Sequence, residues 1–321
     1  MKTIPGLALV SEDLARVECK MREAPHENIE SLAAALDTLL NSGGKRVRPA
    51  LALLVSHSYR SVGDKAISLA AAVEMLHTAT LVHDDLIDGA RLRRGNPTLN
   101  TLWSPGATVL TGDFLFAWAA NLAAQTEHVR VIRIFSQTLM TICGGELRQL
   151  FRRPWRQQTR QDYDRRIYAK TASLFAAATE AATILANSPE PEVKAFRDYG
   201  HQLGMAFQIV DDVLDFVGSS NEMGKPVGSD MRQGIVTLPT LYYLDQHPDD
   251  ELLARVLEGH TDDGIVETAV AHIRKAGAID AAMQDACNHA RRAKAALSDL
   301  PDDRYRRAML DLADFVVQRR V

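Results

Sequence analysis

Two stretches of this chain end an apolar helical pattern in three aspartates. They are Leu81-Val82-His83-Asp84-Asp85-Leu86-Ile87-Asp88 and Phe207-Gln208-Ile209-Val210-Asp211-Asp212-Val213-Leu214-Asp215. Both read D-D-x-x-D. On a helix, residues four apart share a face, so Asp84 and Asp88 project together, as do Asp211 and Asp215, with Asp85 and Asp212 to the side. Carboxylates so spaced suit a hard cation, and Mg²⁺ takes a few carboxylates together with phosphate oxygens and water. One triplet alone is equally well read as a solvated acidic helix end, although acids at a helix C-terminus oppose the macrodipole by a few tenths to ~1 kcal/mol. Two copies, each behind an apolar helix, weaken that reading. Facing each other, they would enclose several divalent cations.

Cations flank these acids. Gly43-Gly44-Lys45-Arg46-Val47-Arg48-Pro49 places three positive side chains at a turn and the start of a helix, where free backbone N–H groups also favour anions. Arg91, Arg93 and Arg94 directly follow the first acidic triplet. Arginine grips phosphate bidentately and lysine acts as a point charge. Either basic patch alone reads as solvated surface. Beside the acids, the two suit one metal-bound and one metal-free diphosphate.

Long helices must position these groups. Apolar residues recur at three and four over Glu12–Met21 and Glu27–Asn41; a third helix starts at Pro49, and Asp64 is the expected N-cap of a helix running from Lys65 to about Asp88. The middle of that helix, Leu69 to Leu76, is apolar nearly all round and so is expected to be central. Further helices are expected at roughly 98–102, 106–124, 127–150, 160–186 and 192–216, with shorter ones to Arg320 after a Gly-rich stretch, and with no strand pairs. The expected fold is all-α: a single large helical domain over 1–321, about a dozen helices.

Composition bounds the function. The net charge of −4 argues against nucleic acid as a partner. Three scattered cysteines, Cys19, Cys143 and Cys287, read as free thiols of a reducing compartment. No signal-peptide pattern and no apolar run of ~18 residues is legible, so the expectation is a cytoplasmic protein without a transmembrane segment, any membrane contact being peripheral and serving product release.

Taken together, the Gly43–Pro49 motif, the Asp84 motif with Arg93-Arg94-Gly95, Lys170-Thr171, the Phe207–Asp215 motif and Gly224-Lys225-Pro226 resemble the trans-prenyltransferases, the polyprenyl diphosphate synthases. The motifs stand in that family's order over about residues 43–239. The two-residue spacer between Asp85 and Asp88 resembles the branch making longer products. The resemblance implies a helical bundle of the isoprenoid synthase type around a central cavity, a homodimer, and Mg²⁺, three ions per site. It implies that Asp84, Asp88 and Asp211 bind metal, supported directly or through water by Asp85, Asp212 and Asp215. Arg93 would hold the allylic diphosphate, while Lys45, Arg48, His77 and Arg94 would hold isopentenyl diphosphate. Lys170, Thr171, Gln208 and Lys225 would line the allylic diphosphate and the cation left when it departs. His77 lies seven residues before Asp84, two turns back on the same face. One departure stands out: where the family often has G-K-x-T-L-P, this chain reads Gly234-Ile235-Val236-Thr237-Leu238-Pro239, so one phosphate contact is absent.

The implied reaction is head-to-tail condensation of isopentenyl diphosphate with an allylic diphosphate primer, giving a product of C20 or longer. The growing chain would run back from Asp84 past Ala79 and Thr80, then Leu76 and Met75, at about 5.4 Å per turn. Ala79 and Thr80 are small where a short-chain enzyme carries an aromatic plug. Trp118, with Phe114 and Phe135, is a candidate deeper floor, and these aromatics read equally well as ordinary core. Three other readings compete. A terpene cyclase shares the metal logic but has no use for a second diphosphate site. A phosphohydrolase of the His-Asp type would need further metal-ligand histidines on neighbouring helices, for which His57 and His77 are the only near candidates. A non-catalytic helical subunit would not need two intact acidic motifs.

Overall fold

The structure, a computed structural model, describes residues 4–24, 29–93, 95–151, 154–218 and 227–319. In chain order the helices are α1 (Ser11–Arg22), α2 (Glu30–Asn41), α3 (Val47–Ser58), α4 (Asp64–Ile87), α5 (Leu99–Leu102), α6 (Pro105–Ala124), α7 (Val129–Leu150), α8 (Arg160–Ile167), α9 (Ser173–Leu185) and α10 (Glu190–Val217). They continue with α11 (Ser229–Arg232), α12 (Leu238–Gln246), α13 (Glu251–Leu257), α14 (Asp263–Lys275), α15 (Ala278–Ala296) and α16 (Arg304–Gln318). The all-α expectation holds. Arg94, Gly224, Lys225, Pro226 and Arg320 lie outside the described residues.

The chain divides into two compact units, each built from three separate segments. Unit 1 is Met1–Met140, Leu174–Arg197 and Asp299–Asp311; unit 2 is Thr141–Ser173, Asp198–Ser298 and Leu312–Val321. Neither unit is a contiguous stretch of sequence, so no linker composition marks them.

In unit 1, α4 is the axis. It packs on α1, α3 and α6, and its residues from Ala66 to Met75 are all buried. Five of its residues are alanines, which cost nothing in side-chain entropy and let neighbouring helices approach closely. Among the described residues two helices, α4 and α6, are long and apolar enough by length and composition to cross a membrane, against the expectation of no such run. For α4 that apolarity is largely used internally, 78% of the window being buried.

Three local expectations need correction. Asp64 does not cap α4: it is the helix's first residue, the cap position is Gly63, and the Asp64 carboxylate accepts from Arg16 at 3.1 Å. One strand pair does occur, the two-residue antiparallel pairing of β1 (Leu92–Arg93) with β2 (Asn96–Pro97). The expected helix 160–186 is interrupted by a π-helical turn at Tyr168–Ala172. A capping box between Thr159 and Asp162 fixes the start of α8.

In unit 2, Tyr163, Ile167 and Ala172 pack with Met205, Ile209, Val210 and Val213 of α10 and with Ala282 and Ala286 of α15. A second cluster, including Phe216, Met231, Val236 and Tyr243, buries the region just after the second acidic motif.

Candidate functional site

The first acidic triplet closes α4. Asp88 is its C-cap, its N–H donating to the Asp84 carbonyl at 2.8 Å. The three carboxylates have different surroundings. Asp84 is half-buried and Asp88 exposed, whereas Asp85 is buried. Arg93, on β1, clasps Asp85 with its Nε 2.8 and 2.9 Å from the two carboxylate oxygens and a terminal nitrogen 2.7 Å from Oδ1. Such a fork-to-carboxylate pair is directional as well as charged. The Asp85 carbonyl also accepts from the Ala90 N–H at 2.9 Å and from Asn100 Nδ2 at 3.2 Å. Asp85 therefore anchors the β1–β2 turn and aims Arg93.

The basic Gly43–Pro49 motif divides in the same way. Arg46 points inward from a left-handed backbone position (φ 47°) and donates to Glu74 at 2.8 Å, to Glu18 at 3.2 Å and to the Leu40 carbonyl at 3.1 Å. Glu74 sits on α4 and is 4% exposed, so Arg46 serves the fold. Lys45 stays exposed, and Arg48, in the first turn of α3, lies over the Phe175 ring at 4.7 Å. His77 is half-buried on α4. Sequence reasoning missed Glu74, the buried partner that sorts these cations.

Behind the first motif, His83 packs directly over Gly112 of α6. A Cβ added at Gly112 would lie 2.6 Å from the ring's Cε1 and 2.9 Å from Cδ2. The ring lies tilted against Phe116 with centroids 5.0 Å apart, and its Nε2 is 3.3 Å from the Val109 carbonyl. The acidic turn is thus wedged in place by helix-to-helix contact.

In unit 2 the second triplet is also divided. Asp211 is half-buried. Asp212 is 4% exposed, accepting from Tyr163 Oη at 2.8 Å and from Gln208 Nε2 at 2.8 Å. Gln208 Oε1 in turn accepts from Thr171 Oγ1 at 2.6 Å. The π-helical turn adds a residue to the helical repeat here and sets Thr171 toward Gln208. Lys170, in the same turn, pairs with Glu146 at 2.9 Å. Burial, and then the charge of Asp230, pushes the Asp212 carboxyl up to about 7, against the two donors that favour its ionised form. Burial also holds the Tyr163 phenol well above its usual range, beside Asp212, so it remains a donor. Asp215 is 1% exposed, and its Oδ2 accepts from the Asp230 N–H at 3.1 Å, at the start of α11. Tyr163 and Glu146 are the partners that the sequence did not reveal. Both come from helices remote in sequence.

The two D-D-x-x-D motifs, alike in sequence, are therefore unlike in use. In both, the second aspartate is committed to another side chain, Arg93 or Gln208. The third is exposed at Asp88 and built into the fold at Asp215. Among the described residues no group of three or more His, Cys, Asp or Glu side chains gathers in the manner of an all-protein metal cage. A divalent ion whose shell is completed by substrate phosphates and water needs only one or two protein carboxylates. Asp84, Asp88 and Asp211, the less buried members, offer hard carboxylate oxygens of this kind.

The Polyprenyl synthetase family model matches residues 29–273. This chain belongs to the polyprenyl synthetase family. It is 36% identical over 319 residues to heptaprenyl diphosphate synthase component 2 of Geobacillus stearothermophilus, covering 99% of both chains. To the octaprenyl diphosphate synthase of Escherichia coli K12 it is 33% identical over 313 residues, 97% of each. Among solved structures it resembles the polyprenyl synthase of Caulobacter crescentus CB15 complexed with calcium and isoprenyl diphosphate, with a TM-score of 0.93 and 36% identity over 98% of this chain and 97% of that one. Members of this polyprenyl synthetase family depend on divalent metal, and the calcium in the Caulobacter structure is such an ion. The expected trans-prenyltransferase resemblance is borne out.

Proposed function

We propose that this protein is a Mg²⁺-dependent polyprenyl diphosphate synthase that adds isopentenyl diphosphate to an allylic diphosphate, making an all-trans product longer than C15. The observation that carries this is the Thr171–Gln208–Asp212–Tyr163 chain of hydrogen bonds within a family member that keeps both acidic motifs. The full-length relatives named for heptaprenyl and octaprenyl products favour a medium or long chain.

Asp84 and Asp88 on α4 and Asp211 on α10 are the carboxylates that would hold the metal, three ions per site. When bound, Mg²⁺ supplies charge neutralisation for the leaving diphosphate. The protein's own groups do the rest. Arg93, held by Asp85, binds the allylic diphosphate, and Lys45, Arg48, His77 and Arg94 bind isopentenyl diphosphate. Lys170, beside Glu146, and Lys225 add charge where the leaving group departs. The allylic C–O bond breaks with its electron pair going to diphosphate. The isopentenyl double bond then attacks the allylic carbon, and a proton passes to the departed diphosphate. Thr171 donates to Gln208, and Gln208 donates to Asp212, so the amide is locked with its carbonyl dipole oriented before the cation forms. Such preorganised dipoles stabilise charge without reorganising at the moment of reaction. Asp212 is in this view a positioning residue for Gln208, and Asp215 one for α11.

The product would run along α4 past Thr80, Ala79, Leu76 and Met75. Ala79, Leu76 and Met75 are fully buried, and the Thr80 hydroxyl is turned back to the His77 carbonyl at 2.7 Å. Trp118 supports a floor role by its burial and by its indole N–H donating to the Met21 carbonyl at 3.3 Å, which holds the ring still. Exposed apolar residues on α6 (Val109, Leu110) and α7 (Val129, Ile132, Met140) support a homodimer; sedimentation at the monomer mass would remove that reading. The free thiols Cys19, Cys143 and Cys287 support a cytoplasmic setting, and retention of activity only under oxidising conditions would argue against it.

The decisive assay is incubation with isopentenyl diphosphate, an allylic primer and Mg²⁺, with mass analysis of the product. Elongated prenyl diphosphate above C15 is expected. Cyclic hydrocarbon, or phosphate release without elongation, would overturn the assignment.

A further inference from the structure

Arg319 lies one residue past α16, yet its side chain is only 6% exposed. Four contacts hold it. Its Nε donates to the Val316 carbonyl at 3.2 Å and a terminal nitrogen donates to the Phe207 carbonyl at 2.9 Å. That same nitrogen is 3.0 Å from Asp211 Oδ1. The guanidinium carbon sits 4.0 Å from the centroid of the Phe207 ring. An arginine of unit 2 is thus seated, by stacking and by two carbonyls, on the first aspartate of the second acidic motif.

A carboxylate oxygen occupied by a guanidinium is not equally available to a metal ion. Two positive charges about 4 Å apart repel by ~1 kcal/mol in water and by ~4 kcal/mol at the effective dielectric near a protein surface. A divalent ion entering at Asp211 doubles that charge product. Either the metal binds weakly or the arginine leaves.

We propose that Arg319 is a displaceable internal counter-ion: it neutralises Asp211 while metal is absent and withdraws when the metal binds. Metal loading at Asp211 and release of the Arg319 side chain from its seat are then one coupled equilibrium. Linkage requires that whatever loosens Arg319 tightens metal binding, by the same factor. The carbonyl and stacking contacts keep the arginine docked without metal, and neither involves a titrating group. The inference rests on the reading of Asp211 as a metal ligand.

Removal of the side chain gives a sign that separates this role from a supporting one. If Arg319 only oriented Asp211 for the metal, Arg319→Gln would weaken binding. As a competitor its loss strengthens binding, by roughly tenfold for one charge-assisted hydrogen bond. Phe207→Leu removes the stack while leaving every charge in place, and should tighten binding by a smaller factor. Arg319→Lys keeps the charge without the planar fork and should fall between wild type and Arg319→Gln.

The test is calorimetric titration of the full chain with Mn²⁺ in the absence of substrates, for wild type, Arg319→Gln, Phe207→Leu and Asp211→Asn. Hydrogen exchange of residues 312–319 with and without Mg²⁺ accompanies it. Tighter binding in Arg319→Gln and Phe207→Leu, with faster exchange of 312–319 in metal-loaded wild type, is the expected result. Unchanged or weaker binding in Arg319→Gln, while Asp211→Asn loses a site, overturns the displacement and leaves the metal role of Asp211 standing. Unchanged binding in Asp211→Asn overturns both.

Discussion

Gly112 offers the sharpest test of how the α4 acidic turn is held. In a helix, Gly→Ala ordinarily gains about 1 kcal/mol from backbone entropy. Here the new methyl would press into the His83 ring, 2.6 Å from Cε1, and the ring must retreat by roughly 0.8 Å to regain ordinary van der Waals separation. Phe116 is packed against the ring at 5.0 Å between centroids and limits that retreat. Overpacking of this kind costs about 1–3 kcal/mol, so the usual gain of Gly112→Ala should be cancelled or turned into a net destabilisation of up to ~2 kcal/mol. Because His83 is adjacent to Asp84, turnover should also fall, by up to roughly 100-fold for a displacement near 1 Å. The decisive measurement is made in a His83→Ala background. With the ring gone, the methyl enters vacated space, and the same substitution should turn stabilising, by up to ~1 kcal/mol. Urea unfolding of the four proteins in the cycle gives the result directly. Equal destabilisation by Gly112→Ala in both backgrounds would refute the wedge.

Other consequences follow from the same geometry. Arg46→Ala leaves Glu74 buried without its arginine and should cost about 3–5 kcal/mol in urea unfolding, whereas the paired apolar replacement Arg46→Met/Glu74→Leu should cost far less. Lys45→Ala, one residue earlier and exposed, should stay within ~0.5 kcal/mol of wild type in stability while raising KM for isopentenyl diphosphate. His289 is held down to about 4 by burial and by the neighbouring Arg292 charge, and its Nδ1 lies 2.7 Å from Gln202 Oε1. A base whose folded pKa is depressed contributes fully at neutral pH, and that contribution is lost as pH falls from about 6.5 toward 4. His289→Gln should therefore reduce the acid sensitivity in that window by ~1–2 kcal/mol, allowing for partial exposure; identical pH dependence of the two unfolding curves would exclude it. Trp118→Ala should lengthen the product at a stability cost of about 3 kcal/mol, and an unchanged product distribution by mass analysis removes Trp118 from chain-length control.

Much of the molecule is written locally, and the helices show it. α4 could be read from Leu69 to Leu76 because an all-round apolar helix has nowhere to go but the interior. The π-helical turn at Tyr168–Ala172 could not, since no residue there breaks a helical pattern; it is the Thr171–Gln208–Asp212–Tyr163 set of hydrogen bonds that accompanies it. Asp64 had the composition of a cap, but the tertiary ion pair with Arg16 claims its side chain instead.

For function, sequence by itself determined the kind of chemistry: which carboxylates and cations exist, their spacing on helices, and the family they match. Residue type and local periodicity suffice for that, because both are properties of a few consecutive positions. Tertiary structure decided which member of each set does what. Asp84 and Asp85 are neighbours with the same side chain, as are Lys45 and Arg46 with the same charge. Only burial and the partners that the fold supplies distinguish them: Arg93 for Asp85, Glu74 for Arg46, and Tyr163, with Gln208 one turn back on the same helix, for Asp212. A buried charge must find a partner or forfeit several kcal/mol. Glu74 and Tyr163 come from other segments of the chain and Arg93 from the strand after α4, so the two acidic triplets that share one pattern in sequence divide their labour only once the chain is folded.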